Sequence, residues 1–340
     1  MPKLLSDYDQ DASRLANQAL GKVYQLNNER HSVLTKPVTN LLYHYTSAEG
    51  LKGIIETNEL WATSAYYLND AAEISYGCGV LKRVLDEWIQ KNPQLENSLV
   101  SGFAYNLRKA FGEDFHNKTL MLPIYVACFC EEDNLLTQWR AYGQLGGYSL
   151  GFEITGRSGF TGPSLVPEPK IYTAKLVKVE YDRTRQEEVC RSILKPLFEI
   201  FTDNATARAI VEIGDHPLFG YSKFLRVTTD LLMEEIVAFK NESFKVENEW
   251  RIVVRPRELV KQGIDDGGKT LTPTYFRCSK GMLIPYVKLN GKSRKKLPIS
   301  SIRSGPTLDK TLAAVAIIEM VTQNGFPAVT VRGSDITVRF

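Results

Sequence analysis

The chain has 340 residues, 43% of them hydrophobic and 24% charged, an ordinary globular makeup with length enough for a sizeable core. A formal net charge of +3 is too small to point by itself to nucleic acid or a membrane. The five cysteines (Cys78, Cys128, Cys130, Cys190, Cys278) form no even framework and no CxxC pair, and a reducing compartment fits best. Residues 1–30 are polar and lack the apolar core of a signal peptide, and no apolar run approaches the roughly 18 residues of a membrane span. The expectation is a cytoplasmic protein with no membrane partner.

In chain order, residues 1–40 read as an amphipathic helical extension, and 41–340 as one α+β domain. Leu41–Thr46 is a short aromatic-rich strand. Ser47 can cap a helix whose apolar face is Leu51, Ile54 and Ile55, with Asn58 as its stop. Leu60–Ser64 is a second strand. Asp70 and Glu73 have the spacing of a capping box. They precede a helix carrying Val80, Leu81, Val84, Leu85 and Trp88, and a further helix covers 95–112. Leu122–Cys130 is a continuous apolar run, expected as a central strand. A short helix is expected over Leu135–Tyr142 and a strand over Gly147–Glu153. Residues 156–170 read as a loop and Lys175–Tyr181 as a strand. The pattern is helical from 184 to 240, with a break near 215–220. Strands follow at Trp250–Val254, Gly281–Leu289 and Ile299–Arg303, then a helix at 308–323, then strands at Val329–Val331 and Ile336–Phe340. Strand runs separated by clustered helices favour a mixed, largely antiparallel sheet with flanking helices.

Four segments can carry chemistry. In Glu247-Asn248-Glu249-Trp250-Arg251, side chains two apart on a strand share a face, which sets Glu247, Glu249 and Arg251 together. Two neighbouring carboxylates need a proton or a cation, and Arg251 can be that cation. An exposed charge ladder is the plainer reading. His44 lies between two tyrosines; alone, it reads equally as a packed, satisfied histidine. Asn69, Asp70 and Glu73 are explained by capping as well as by a site. Trp61, Tyr66 and Tyr67 can stack on a flat ligand or fill the core. In Gln138-Trp139-Arg140-Ala141-Tyr142-Gly143, Trp139 suits packing, and Arg140 suits a phosphate or plain solvent exposure. The cluster Lys292, Arg294, Lys295 and Lys296 is most simply a solvated loop. No dinucleotide or Walker glycine loop and no GxSxG or HExxH motif occurs.

Read together, Leu42-Tyr43-His44-Tyr45-Thr46-Ser47, Leu60-Trp61-Ala62-Thr63, Leu68-Asn69-Asp70-Ala71-Ala72-Glu73, Cys128-Phe129-Cys130, Gln138-Trp139-Arg140-Ala141-Tyr142-Gly143, Gly151-Phe152, Glu247-Asn248-Glu249-Trp250-Arg251 and Ile302-Arg303-Ser304-Gly305-Pro306 resemble the bacterial domain-of-unknown-function family 2971. Ser334 fits as well. The family usually has serine where Cys130 stands and proline where Ala71 stands. Its name supplies no activity.

A more distant likeness does. The strand Tyr43-His44-Tyr45-Thr46-Ser47, a helix and a small second strand resemble the opening of ADP-ribosyltransferases of the DNA-modifying toxin type, whose late strand carries a glutamate, often as an ExE pair. That resemblance implies a split sheet and NAD as substrate. It implies Glu249, Glu247 and His44 as catalytic residues. It places His44, Tyr45, Thr46, Thr63, Ser64, Tyr66, Tyr67, Asn69, Arg140 and Arg251 against the NAD. Glu249 would stabilise the oxocarbenium-like charge that builds as the nicotinamide–ribose bond breaks. Glu247 would orient the acceptor, a nucleic acid or a protein. His44 would bond a ribose hydroxyl, and a tyrosine would stack on nicotinamide.

Three readings stand at this stage. The first is an NAD-consuming ADP-ribosyltransferase or glycohydrolase, serving as a toxin or antiphage effector. The second is a metal-dependent nuclease or hydrolase using Asp70, Glu73, Glu247 and Glu249. The third is a non-enzymatic binding module of a defence or regulatory system, with Glu249 paired to Arg251 and His44 packed.

Overall fold

A computed structural model describes residues 18, 21, 25, 41–68, 72–93, 98–112, 123–142, 146–154, 165–168, 172–202, 207, 219–256, 274–279, 281–291, 296–326 and 328–337. Apart from 18, 21 and 25, residues 1–40 fall outside these, as do Asn69, Asp70, residues 215–218 of the expected helix break and the lysine-arginine loop 292–295. The backbone packs as two compact units, each assembled from separate stretches of chain.

Among the described residues, the sheet unit holds every strand. They are β1 (Leu42–Thr46), β2 (Leu60–Ser64), β3 (Tyr125–Cys130), β4 (Tyr148–Phe152), β5 (Leu165–Glu168), β6 (Tyr172–Lys178), β7 (Glu249–Pro256), β8 (Tyr275–Ser279), β9 (Met282–Gly291), β10 (Ile299–Ser304) and β11 (Thr330–Gly333). The fold is α+β with an open, mostly antiparallel sheet; among the named strands only β10 and β11 run parallel. The order is β11-β10-β4-β1-β3-β2-β9-β5, with β7 and β6 added along β3 and β8 along β9.

Three helices belong to this unit: α1 (Ala48–Thr57), α4 (Leu136–Tyr142) and α7 (Lys310–Gln323). Helix α1 forms as its sequence dictates. Ser47 Oγ accepts from Gly50 N at its start, Asn58 closes it in the left-handed region, and Leu51, Ile54 and Ile55 turn inward. These residues join Leu42, Leu60, Phe129, Leu150, Phe152, Trp250, Ile252, Val287, Leu289 and Ile302 of the strands and Ile317 and Val321 of α7 in one core. One face of the sheet is therefore apolar and covered.

The helical unit contains α2 (Ala72–Lys91), α3 (Leu99–Ala110), α5 (Arg183–Thr202) and α6 (Phe219–Ile236). Its centre is aromatic: Phe103 stacks on Phe201 at 4.3 Å, and Trp88 lies 4.0 Å from Phe198. Helices α2 and α6 come so close at Gly77 that a Cβ there would stand 2.6 Å from Ile236 Cγ2. Lys240 and Glu73 form a buried ion pair of 3.0 Å in the same unit.

Two expectations need correcting. The 156–170 loop contains β5, which pairs with β9. Pro167 hides this strand from a sequence reading, yet a missing N–H is tolerated at the end of a sheet path. The terminal strand expected over 336–340 does not begin in the described part, since 334–337 carry no strand.

Candidate functional site at the fork of beta1 and beta2

Strand β3 is the pivot. One edge pairs with β7 along its whole length, from Tyr125↔Val254 to Cys130↔Glu249. The other edge is shared: β1 meets it at Cys130, opposite Tyr43, and β2 meets it at Val126 and Tyr125. Between these contacts β1 and β2 part, and Cys128 sits in the gap. His44 fills it, with Nδ1 2.9 Å from Cys128 O. A carbonyl only accepts, so Nδ1 carries the hydrogen and Nε2 presents its lone pair. Burial lowers the His44 pKa, against a smaller upward pull from the Cys128 bond. The ring is neutral at pH 7.

The register divides the predicted site residues between two faces. Tyr43, Cys130 and Glu249 stand in one cross-strand row, and Cys128 pairs with Arg251, so these share a face with Tyr45 and, through Thr63↔Val126↔Val253, with Thr63. His44, Thr46 and Ser64 alternate onto the apolar face, where His44 lies 5.8 Å from Phe129. Strands β1 and β7 flank β3, which sets their backbones about 10 Å apart at two strand spacings. His44 and Glu249 are thus near neighbours in backbone position but project to opposite sides.

Glu249 and Arg251 are joined directly. Arg251 Nε donates to Glu249 Oε1 at 2.7 Å and Nη2 to Oε2 at 3.0 Å, with the Arg251 side chain 2% and the Glu249 side chain 5% exposed. The cation expected for this carboxylate is therefore its own neighbour on the strand. Glu247 is not on that strand: it ends a 3-10 helix, Glu242–Glu247, and Asn248 takes a left-handed φ of 41° before β7 begins at Glu249. The ladder expected for 247, 249 and 251 shortens to its last two members, because Asn248 turns the chain instead of extending it. Tyr66 and Tyr67 form a 3-10 turn just after β2, Tyr67 exposed and Tyr66 partly buried. Arg140 is exposed in the last turn of α4. Glu73 is held by Lys240 in the helical unit.

The sequence reading missed the loop that follows β3. Residues Glu131 to Leu135 together tie down β1, β6, β7, β10, α4 and the stretch near Ser334. Glu131 Oε1 accepts from Lys178 Nζ at 2.6 Å and from Trp250 Nε1 at 2.8 Å. Tyr45 Oη donates to Glu132 O and accepts from Leu135 N. Asp133 accepts from Arg303 Nε at 2.8 Å. Asn134 Oδ1 accepts from Trp139 Nε1 at 3.0 Å and from Ser334 Oγ at 2.7 Å. The available signal was four polar residues in a row between an apolar strand and the helix of Trp139. The Tyr45 ring meets buried Trp139 edge-on at 4.7 Å, and burial drives its hydroxyl pKa far upward. Tyr43 is raised as well, first by burial and then by Asp133, with Arg303 and Arg332 opposing. Glu131 is held below the usual carboxylate range: burial pulls it up, and the bonds from Lys178 and Trp250 outweigh that.

Residues 138–252 match the model of the family described as Protein of unknown function (DUF2971). The match bears out the family resemblance read from the sequence. It takes in most of α4, β4 and the Glu249–Arg251 pair, leaves out β1, β2 and β3, and brings no activity with it. The likeness to ADP-ribosyltransferases is not confirmed by it. No curated protein and no solved structure matches the chain. Among the described residues, no helix is long and apolar enough to cross a membrane, and no group of three or more His, Cys, Asp or Glu side chains is placed to hold a metal ion.

Proposed function

We propose that the protein is an NAD-consuming ADP-ribosyltransferase or glycohydrolase whose site lies at the fork of β1 and β2. The observation that carries this reading is the fork itself. A neutral histidine is fixed where two strands part, and a carboxylate held by a guanidinium stands on the strand beyond β3, projecting from the other face of the sheet. His44 Nε2 suits a ribose hydroxyl, which needs an acceptor. Glu249, oriented by two charge-assisted bonds, suits the positive charge that develops on the ribose. Thr63 shares its face, and Tyr66 and Tyr67 follow β2 as candidates to stack on nicotinamide. On this reading NAD is the substrate, and the bond that breaks joins its ribosyl carbon to nicotinamide.

The binding-module reading has an observation of its own. Both Glu249 oxygens are already taken by Arg251, and His44 is already bonded to Cys128 O. The metal-hydrolase reading is less favoured, since Glu249 and Glu73 each have a cationic side-chain partner and Glu247 lies off the strand. Incubation with NAD separates the first two readings. Nicotinamide release that disappears in Glu249→Ala supports the enzyme. Binding of NAD without release, measured by calorimetry, selects the binding module.

A further inference from the structure

A row of aromatic rings lies on the polar face of β2, β9 and β8. Thr63, Tyr286 and Tyr275 stand in register across these three strands, and Trp61 and Lys288 are the next pair along. Trp61 stacks on Tyr286 with centroids 4.2 Å apart and planes 22° from parallel. Tyr275 lies 5.6 Å from Tyr286 on its own strand, 28° from parallel. Tyr286 is buried, whereas Trp61 and Tyr275, the two ends of the row, are each 37% exposed. Cations are interleaved with the rings. Lys288 Nζ sits 4.4 Å from the Tyr275 centroid and 3.1 Å from Glu59, and Arg277 Nη2 reaches Thr63 Oγ1 at 3.4 Å.

A core would bury the ends of such a row, and a solvated sheet face would not carry three near-parallel rings. Exposed rings with cations beside them are what unpaired bases recognise: each base stacks on an open ring, while the phosphates meet the cations. A duplex hides its base faces and has no use for the rings. We propose that this face binds single-stranded nucleic acid, with Trp61 and Tyr275 as stacking platforms and Lys288 and Arg277 as phosphate contacts. The proposal does not rest on the NAD reading: Trp61 shares β2 with the fork and Arg277 touches Thr63, but none of these four residues is assigned a part in holding NAD.

Fluorescence anisotropy of the full chain with a labelled twelve-nucleotide oligothymidine, and with a duplex of the same length, tests it at low and high salt. The single strand binds, the duplex binds at least tenfold more weakly, and added salt loosens the complex. Trp61→Ala and Tyr275→Ala each weaken binding by at least about fivefold, the low end for loss of one stacked base. Trp61→Phe keeps a ring and recovers most of the loss. Lys288→Gln shallows the salt dependence. Far-UV circular dichroism and melting confirm each variant is folded. Tyr275 is exposed on an outer strand, so its variant stands as the test should Trp61→Ala not fold. Absence of binding at low salt, equal affinity for duplex, or binding unchanged in folded Tyr275→Ala overturns the proposal; the last two would assign the rings to a protein partner or to packing.

Discussion

At the scale of single residues, the late motif is explained by one backbone angle and one ion pair. Asn248 holds a left-handed φ of 41°. Asn248→Ala therefore costs about 1 kcal/mol, and Asn248→Gly is near neutral, both read by denaturant unfolding. A neutral, buried His44 makes stability depend on pH. Its folded pKa lies below its unfolded value of about 6.5, so the unfolded chain binds the extra proton first. Stability is complete above that pH and falls as acid is added toward the folded pKa. Unfolding midpoints from pH 7.5 down to 5 should show the decline, and His44→Gln should flatten it. A decline unchanged in the variant would place its origin elsewhere. The sequence made both residues visible as types. It could not show that Asn248 turns the chain, because Glu247-Asn248-Glu249 has the alternation of a strand.

At the scale of elements, local signals read well and pairings did not. Ser47, the Leu51–Ile54–Ile55 face and Asn58 marked α1 because capping and helical periodicity are local. β5 was lost to Pro167, and β8 with its Tyr275 carried no strong periodic signal. The loop Glu131–Leu135 was opaque for another reason: apart from Trp139 of α4, its partners come from β1, β6, β7, β10 and the stretch near Ser334, all distant in the chain. Asn134→Ala strips the acceptor from Trp139 Nε1, on a side chain with no exposed surface. The expected loss is about 1–3 kcal/mol, with a lowered thermal midpoint. In the helical unit, Gly77→Ala places a methyl 2.6 Å from Ile236 Cγ2 and 2.9 Å from its carbonyl. Prying α2 from α6 should cost about 1–3 kcal/mol. Gly53→Ala, with open space around its Cβ, serves as the control and should lose nothing comparable.

At the scale of the molecule, the α+β class and the family resemblance were legible from the order of motifs, and residues 138–252 match the family model. What composition could not convey is the order β1-β3-β2 with β7 behind β3, which makes a fork of two early strands and sets a late glutamate beside it. Nor could it convey that His44 and Glu249 project to opposite faces, since that depends on a pairing register set between distant strands. The reading as an NAD-consuming enzyme rests on the fork. Its most direct test is the rate of nicotinamide release from NAD by the wild type and by Glu249→Gln, compared at matched folded fraction because a stranded Arg251 is destabilising. The account predicts release by the wild type and a loss of at least about a hundredfold in the folded variant, the scale for removing one charge-stabilising group. Undiminished release by folded Glu249→Gln, or none from the wild type, would contradict it.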